Sequence, residues 1–269
     1  MALEDFSDVR VRDLAAFPAP ENLRIGIARR IAASAWRIKE VVGRIPIRWL
    51  ALTGILLAGN VANALSWRFA VPINTGAFSV SLALGLYAMP GWGELRRSRA
   101  EASSWRPRWR STLLAIAAGL GLAAPSVLFF AITAAHGGLG YAAIPDLPAR
   151  SLIMRELIEI PLLTAFLEEL VFRQYVFRAF AQKGLIATVL INAGIFTLWH
   201  LVVTARTVLG TNFAASPVLL VGSYIGSLAT VFIGGVVFAL VRWRTGSFVY
   251  SALAHWVVLG LITLAMWVL

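Results

Sequence analysis

Residues 160–182 read IPLLTAFLEELVFRQYVFRAFAQ, with two adjacent glutamates, Glu168 and Glu169, in the middle of an apolar run. No Asp or Glu follows them anywhere in 170–269. The run is long enough to cross a ~30 Å hydrocarbon layer as a helix. An ionised side chain at that depth costs at least ~2.5–3.5 kcal/mol on insertion scales. The pair therefore needs partners from elsewhere in the chain.

The surrounding sequence supports the membrane reading. The chain has 269 residues, of which 59% are hydrophobic and 14% charged, with mean hydropathy +0.78. Such a composition excludes an ordinary soluble domain. Windows of spanning length fall near 49–67, 75–92, 112–135, 160–182, 185–207, 217–241 and 248–269. The predicted fold is an all-α integral membrane protein, a polytopic helical bundle of about seven spans, with six to eight as the range. Residues 1–48 are predicted to be a cytoplasmic segment, 49–150 the N-terminal membrane helices, and 151–269 the domain that carries the chemistry. No cleavable signal peptide is expected, because the first 45 residues contain no suitable apolar core.

Cysteine is absent, which removes thiol nucleophiles, disulfides and thiolate metal sites from consideration. The formal net charge of +11 could suggest nucleic acid, but its distribution points elsewhere. If the spans alternate, only Arg68, Arg150, Arg155 and Arg206 of the 24 Lys and Arg residues fall on one side. The positive-inside rule then puts the N-terminus in the cytoplasm of a multi-pass protein of the cell (inner) membrane and the C-terminus outside. The basic excess is topology, and no nucleic-acid partner is expected. Residues 21–45 interleave Ile, Ala, Val and Trp36 with Arg and Lys at helical spacing. That pattern suits an amphipathic helix on an anionic membrane surface, or a solvated helix packed on the loops.

Helical phase separates the two glutamates. Neighbouring residues on a helix point about 100° apart, so the carboxylates cannot share one environment. Glu169 and Arg173 are i and i+4, the spacing of an ion pair on one face. Glu168 lies on another side and is free to face a cavity as a candidate general base. Two of the three histidines, His200 and His255, fall within later spans. Glu168 and His200 each sit roughly 10–12 Å below the outer surface at ~1.5 Å per residue, a layer His255 can share. Glu168 is thus aimed at His200 and His255 on neighbouring spans.

Three motifs emerge in order: E168-E169-L-V-F-R173, F196-T-L-W-H200 and His255. In helices and at this spacing the stretch of about 155–262 resembles the CPBP intramembrane proteases, also called the Abi or CAAX-protease family. The resemblance implies peptide-bond hydrolysis within the membrane, on a membrane protein or a lipidated or hydrophobic peptide. It implies that Glu168 and His200 activate a water, that Arg173 orients the pair Glu168 and Glu169, and that His255 supplies an oxyanion donor. The family's third motif is H-x-x-x-N, whereas this chain has Leu259 where the Asn would stand. Asn192 and Ser251 are candidates to fill that place. Two alternatives stay open. One is a zinc-dependent version with Glu168, His200 and His255 as metal ligands, although no H-E-x-x-H is present; without it, no cofactor is expected. The other is a catalytically impaired scaffold or immunity protein, or a proton-coupled transporter, the last disfavoured by the lack of inverted repeats.

Overall fold

The computed structural model describes residues 47–69, 108–135 and 148–268. The amphipathic stretch 21–45, the span 75–92 and most of the loops 93–110 and 136–150 lie outside the described residues. The chain divides into two units, Met1–Gly54 and Ile55–Leu269. The site lies in the second, and every contact below is internal to it.

Among the described residues the fold is helical, with no β-strand. Helix α1 is Ile47–Phe69 and α2 is Trp109–Ala135. A long helix over 149–180, here α3, follows. It starts as Ala149–Met154 and widens to π-helical turns over Arg155–Phe166 and Leu170–Val176. Between these stands a single α-helical turn, Leu167–Glu169. Then come α4 (Leu185–Trp199), α5 (Leu201–Leu209), α6 (Pro217–Thr245) and α7 (Phe248–Val268). Three of these, α2, α6 and α7, are long and apolar enough to cross a membrane; α4 and α5 together make a fourth candidate, bent by 51°.

The local sequence explains the boundaries. Ser216 caps α6, accepting the Leu219 N–H, and Pro217 occupies the first turn, where a missing N–H costs nothing. The same helix ends at Gly246, whose φ of 76° is the left-handed region a glycine enters freely. Arg242 and Arg244 fall in its last turn, where cations complement the helix dipole. In α3, Pro161 lies within the first π-helical stretch; it has no N–H to donate to the ladder, which removes one regular α-helical bond there. π-turns recur at functional positions because they rotate the residues that follow.

Helix α3 begins well before 160, where hydropathy alone placed it. Arg150, Arg155, Glu156 and Glu159 hide its first turns from a hydropathy window. The stretch is tied to α7, where the Trp256 indole N–H donates to the Glu156 main-chain carbonyl at 2.8 Å.

Small residues bring the helices together, as expected where lipid supplies no hydrophobic drive between them. Helix α2 runs along α7, and a Cβ at Gly119 would lie 2.8 Å from the Ala254 carbonyl oxygen. Helix α6 runs along α4, with Gly235 against Ala193. Large apolar side chains such as Ile186, Leu190, Val218 and Ile225 are exposed, as suits surfaces facing hydrocarbon. The polar groups are turned inward, onto α3, α4, α6 and α7.

Candidate active site

The two glutamates sit in the α-helical turn between the two π stretches of α3 and face different neighbours. Glu169 and Arg173 are both completely buried. Arg173 Nε lies 3.1 Å from Glu169 Oε2, and its Nη2 donates to the Gly235 carbonyl at 3.2 Å. The guanidinium also lies over the Phe196 ring, 4.3 Å from the centroid, and 5.4 Å from that of Phe238. A buried arginine held by a carboxylate, a carbonyl and two π-faces offsets part of a desolvation cost that would otherwise be several kcal/mol per ion.

His255, from α7, closes the same cluster. Its Nδ1 is 3.2 Å from Glu169 Oε1, and its ring stacks on Phe238, with centroids 4.8 Å apart. The expectation that Glu168 faces both histidines is therefore corrected. His255 lies against Glu169, which holds Arg173 with one oxygen and meets the imidazole with the other. Phase along α3 separated the carboxylates, but it carries no information on how α7 is rotated about its own axis.

Glu168 faces α4. Its Oε1 accepts from the Trp199 indole N–H at 3.1 Å, and its Oε2 is 3.7 Å from His200 Nε2. The other ring nitrogen of His200 is 2.8 Å from the Phe196 carbonyl oxygen. A carbonyl only accepts, so Nδ1 carries the proton, and in the neutral ring Nε2 offers its lone pair towards Glu168. Phe196 lies between the two histidines, its centroid 4.4 Å from His200 and 5.8 Å from His255. It is one wall shared by both halves of the site.

Accessibility divides the halves. The side chains of His200 and Glu168 are 17% and 12% exposed, whereas Glu169 and Arg173 are at 0%. All five motif residues are thus gathered, as an enclosed group (Glu169, Arg173, His255) beside a partly open pair (Glu168, His200).

The position opposite is less complete. Leu259 is half-buried one turn beyond His255. Asn192 donates to the Phe172 carbonyl at 2.7 Å, and Ser251 to the Phe248 carbonyl at 2.7 Å. Both candidate substitutes for the missing Asn thus have a main-chain partner.

The zinc arrangement asks Glu168, His200 and His255 to converge on one point. Among the described residues no group of three metal-binding side chains does so, since His255 is turned to Glu169 instead. The residues present do not fit a three-ligand metal site.

Trp199 is the functional neighbour that motif reading passed over. It is adjacent to His200 and inside the quoted motif, yet an aromatic at helical spacing reads first as core. Its ring rests on α1, where a Cβ at Gly59 would overlap it.

A helical membrane protein whose buried centre couples two carboxylates to two histidines is the class that the fold and site define. Comparison with known proteins agrees. The family model described as Type II CAAX prenyl endopeptidase Rce1-like matches residues 150–260. The matched stretch is similar to that family and holds Glu168, Glu169, Arg173, His200 and His255. No curated protein and no solved structure matches the chain.

Proposed function

We propose that the chain is an intramembrane endopeptidase that hydrolyses a peptide bond in a membrane-associated protein or peptide, with Glu168 and His200 activating the water. The observation that carries this reading is the placement of two acceptors, Glu168 Oε2 and His200 Nε2, 3.7 Å apart on the partly open side of the site. That separation exceeds a direct hydrogen bond and suits a shared water. Such a water would donate to both acceptors, leaving its own lone pair free for a carbonyl carbon.

The step balances without an added group. The water oxygen bonds to the carbonyl carbon as its proton passes to Glu168. The C–N bond then breaks as the proton is delivered to the leaving nitrogen. The chemistry is glutamic, with no step routed through zinc. Trp199 holds the Glu168 carboxylate by its other oxygen, and Arg173 fixes Glu169 so that only one of the twin carboxylates is available. With its Nδ1 against a carboxylate, His255 donates to a developing oxyanion through Nε2 when the ring carries both protons.

The wider architecture belongs to the same proposal. About seven spans, a cytoplasmic N-terminal segment over 1–48, membrane helices over 49–150 and a catalytic domain over 151–269 place the protein in the cell membrane. The partners are the bilayer and a membrane protein or a lipidated or hydrophobic peptide.

The test is peptide profiling of membranes from cells carrying the native chain or a Glu168→Ala variant. Membrane-associated fragments should be present with the native chain and missing with the variant. Identical profiles from a variant that still folds would leave a scaffold or immunity role as the better account. Activity that survives chelation and removal of bound metal would support the glutamic mechanism.

A further inference from the structure

The bend between α4 and α5 falls at His200, whose backbone sits at φ −92°, ψ 0°. This is the sparsely populated bridge region where turn and active-site residues are found. Neither proline nor glycine occupies 199–202, so the sequence of these helices supplies none of the ordinary causes of a kink. The missing bond identifies another cause. In an unbroken helix the Val202 N–H would donate to the Leu198 carbonyl, four residues earlier. Here both groups bond instead to one side chain from α1. Asn60 Nδ2 donates to the Leu198 carbonyl at 3.0 Å, and the Val202 N–H donates to Asn60 Oδ1 at 3.2 Å.

We propose that Asn60 is a positioning residue whose carboxamide inserts into the 198–202 hydrogen bond and holds the bend that presents Trp199 and His200 to Glu168. A primary amide suits this because it copies a peptide unit, with one donor for the carbonyl and one acceptor for the N–H. A water could satisfy the same groups but would not tie them to a second helix. The preceding residue adds the fit, since Gly59 leaves space for the Trp199 ring that a Cβ would fill. Asn60 lies outside the matched stretch 150–260. The first described helix thus acts on the site without touching the reacting groups.

The catalytic consequence rests on the peptidase reading; the bend does not. Because the chain has no native cysteine, two introduced cysteines report on the bend alone. Ile186 and Leu209 are suitable, being 76% and 41% exposed. Spin labels there, on the full chain in nanodiscs, measure the distance across the break by pulsed electron resonance. Straightening a 51° bend over these arms lengthens it by about 3 Å at 1.5 Å per residue.

Asn60→Leu is expected to shift the distance upward by about that amount and to lower peptide cleavage at least tenfold. Asn60→Gln, which keeps the amide, should restore most of both. Asn60→Ala gives the same reading if the leucine variant does not fold. An unchanged distance in the leucine or alanine variant overturns the wedge, and a shifted distance with native cleavage overturns the positioning role. If Glu168→Ala leaves cleavage intact, the peptidase reading fails, while the distance still decides for or against the wedge.

Discussion

The Trp199 indole N–H donates to Glu168 Oε1 at 3.1 Å, so the carboxylate nearest His200 is held by one oxygen and free at the other. A carboxylate with two free oxygens could rotate away from the histidine. One neutral donor on one oxygen fixes the plane and leaves the second oxygen as an acceptor. The interaction also links α3 to α4 at the residue preceding the bend.

Trp199→Phe removes the donor, together with the outer edge of the indole that rests on α1 at Gly59. A hydrogen bond to a charged group is worth about 1.5–3 kcal/mol, so cleavage should fall by roughly ten- to a hundredfold. Membrane peptide profiling against the native chain measures it.

Arg173 has the opposite character, because its loss should be seen in stability first. Arg173→Gln leaves Glu169 buried without its counter-charge, and breaking such a pair costs about 3–5 kcal/mol. The detergent-solubilised variant should unfold at a markedly lower temperature, with reduced yield in membranes. Arg173→Lys should recover only part of the loss. An ammonium cannot reproduce the flat contact with Phe196 and Phe238 while also reaching Glu169 and the Gly235 carbonyl.

Leu259→Asn tests the gap one turn beyond His255. A preorganised oxyanion donor is worth ~10²–10³ in rate. Supplying one at this position should raise cleavage by about tenfold, short of that range because the surrounding shell evolved around leucine. A rate no higher than that of the native chain would show that another group already fills the role.

Much of the fold is legible in the sequence. Hydropathy placed spans at 112–135, 217–241 and 248–269, and the helices run Trp109–Ala135, Pro217–Thr245 and Phe248–Val268. Helical spacing likewise anticipated the contact between Glu169 and Arg173, because both lie on one helix and the interaction is local. What depends on two helices was not legible. The rotation of α7 that gives His255 to Glu169, and the reach of Asn60 into the break at His200, are set by tertiary packing. Neither leaves a periodic trace in either segment. The early start of α3 was missed for a third reason: charged residues on an apolar helix lower its hydropathy without preventing it from packing.

The unequal exposure of the twin carboxylates has a consequence for reagents. Glu168 shares the partly open side with His200, whereas Glu169 is completely buried against Arg173 and His255. A carbodiimide entering from the lipid should couple to Glu168 and leave Glu169 unmodified, so mass spectrometry of the labelled peptide would find one adduct on two adjacent, chemically identical side chains. The same asymmetry makes Glu168 the natural anchor for a covalent inhibitor.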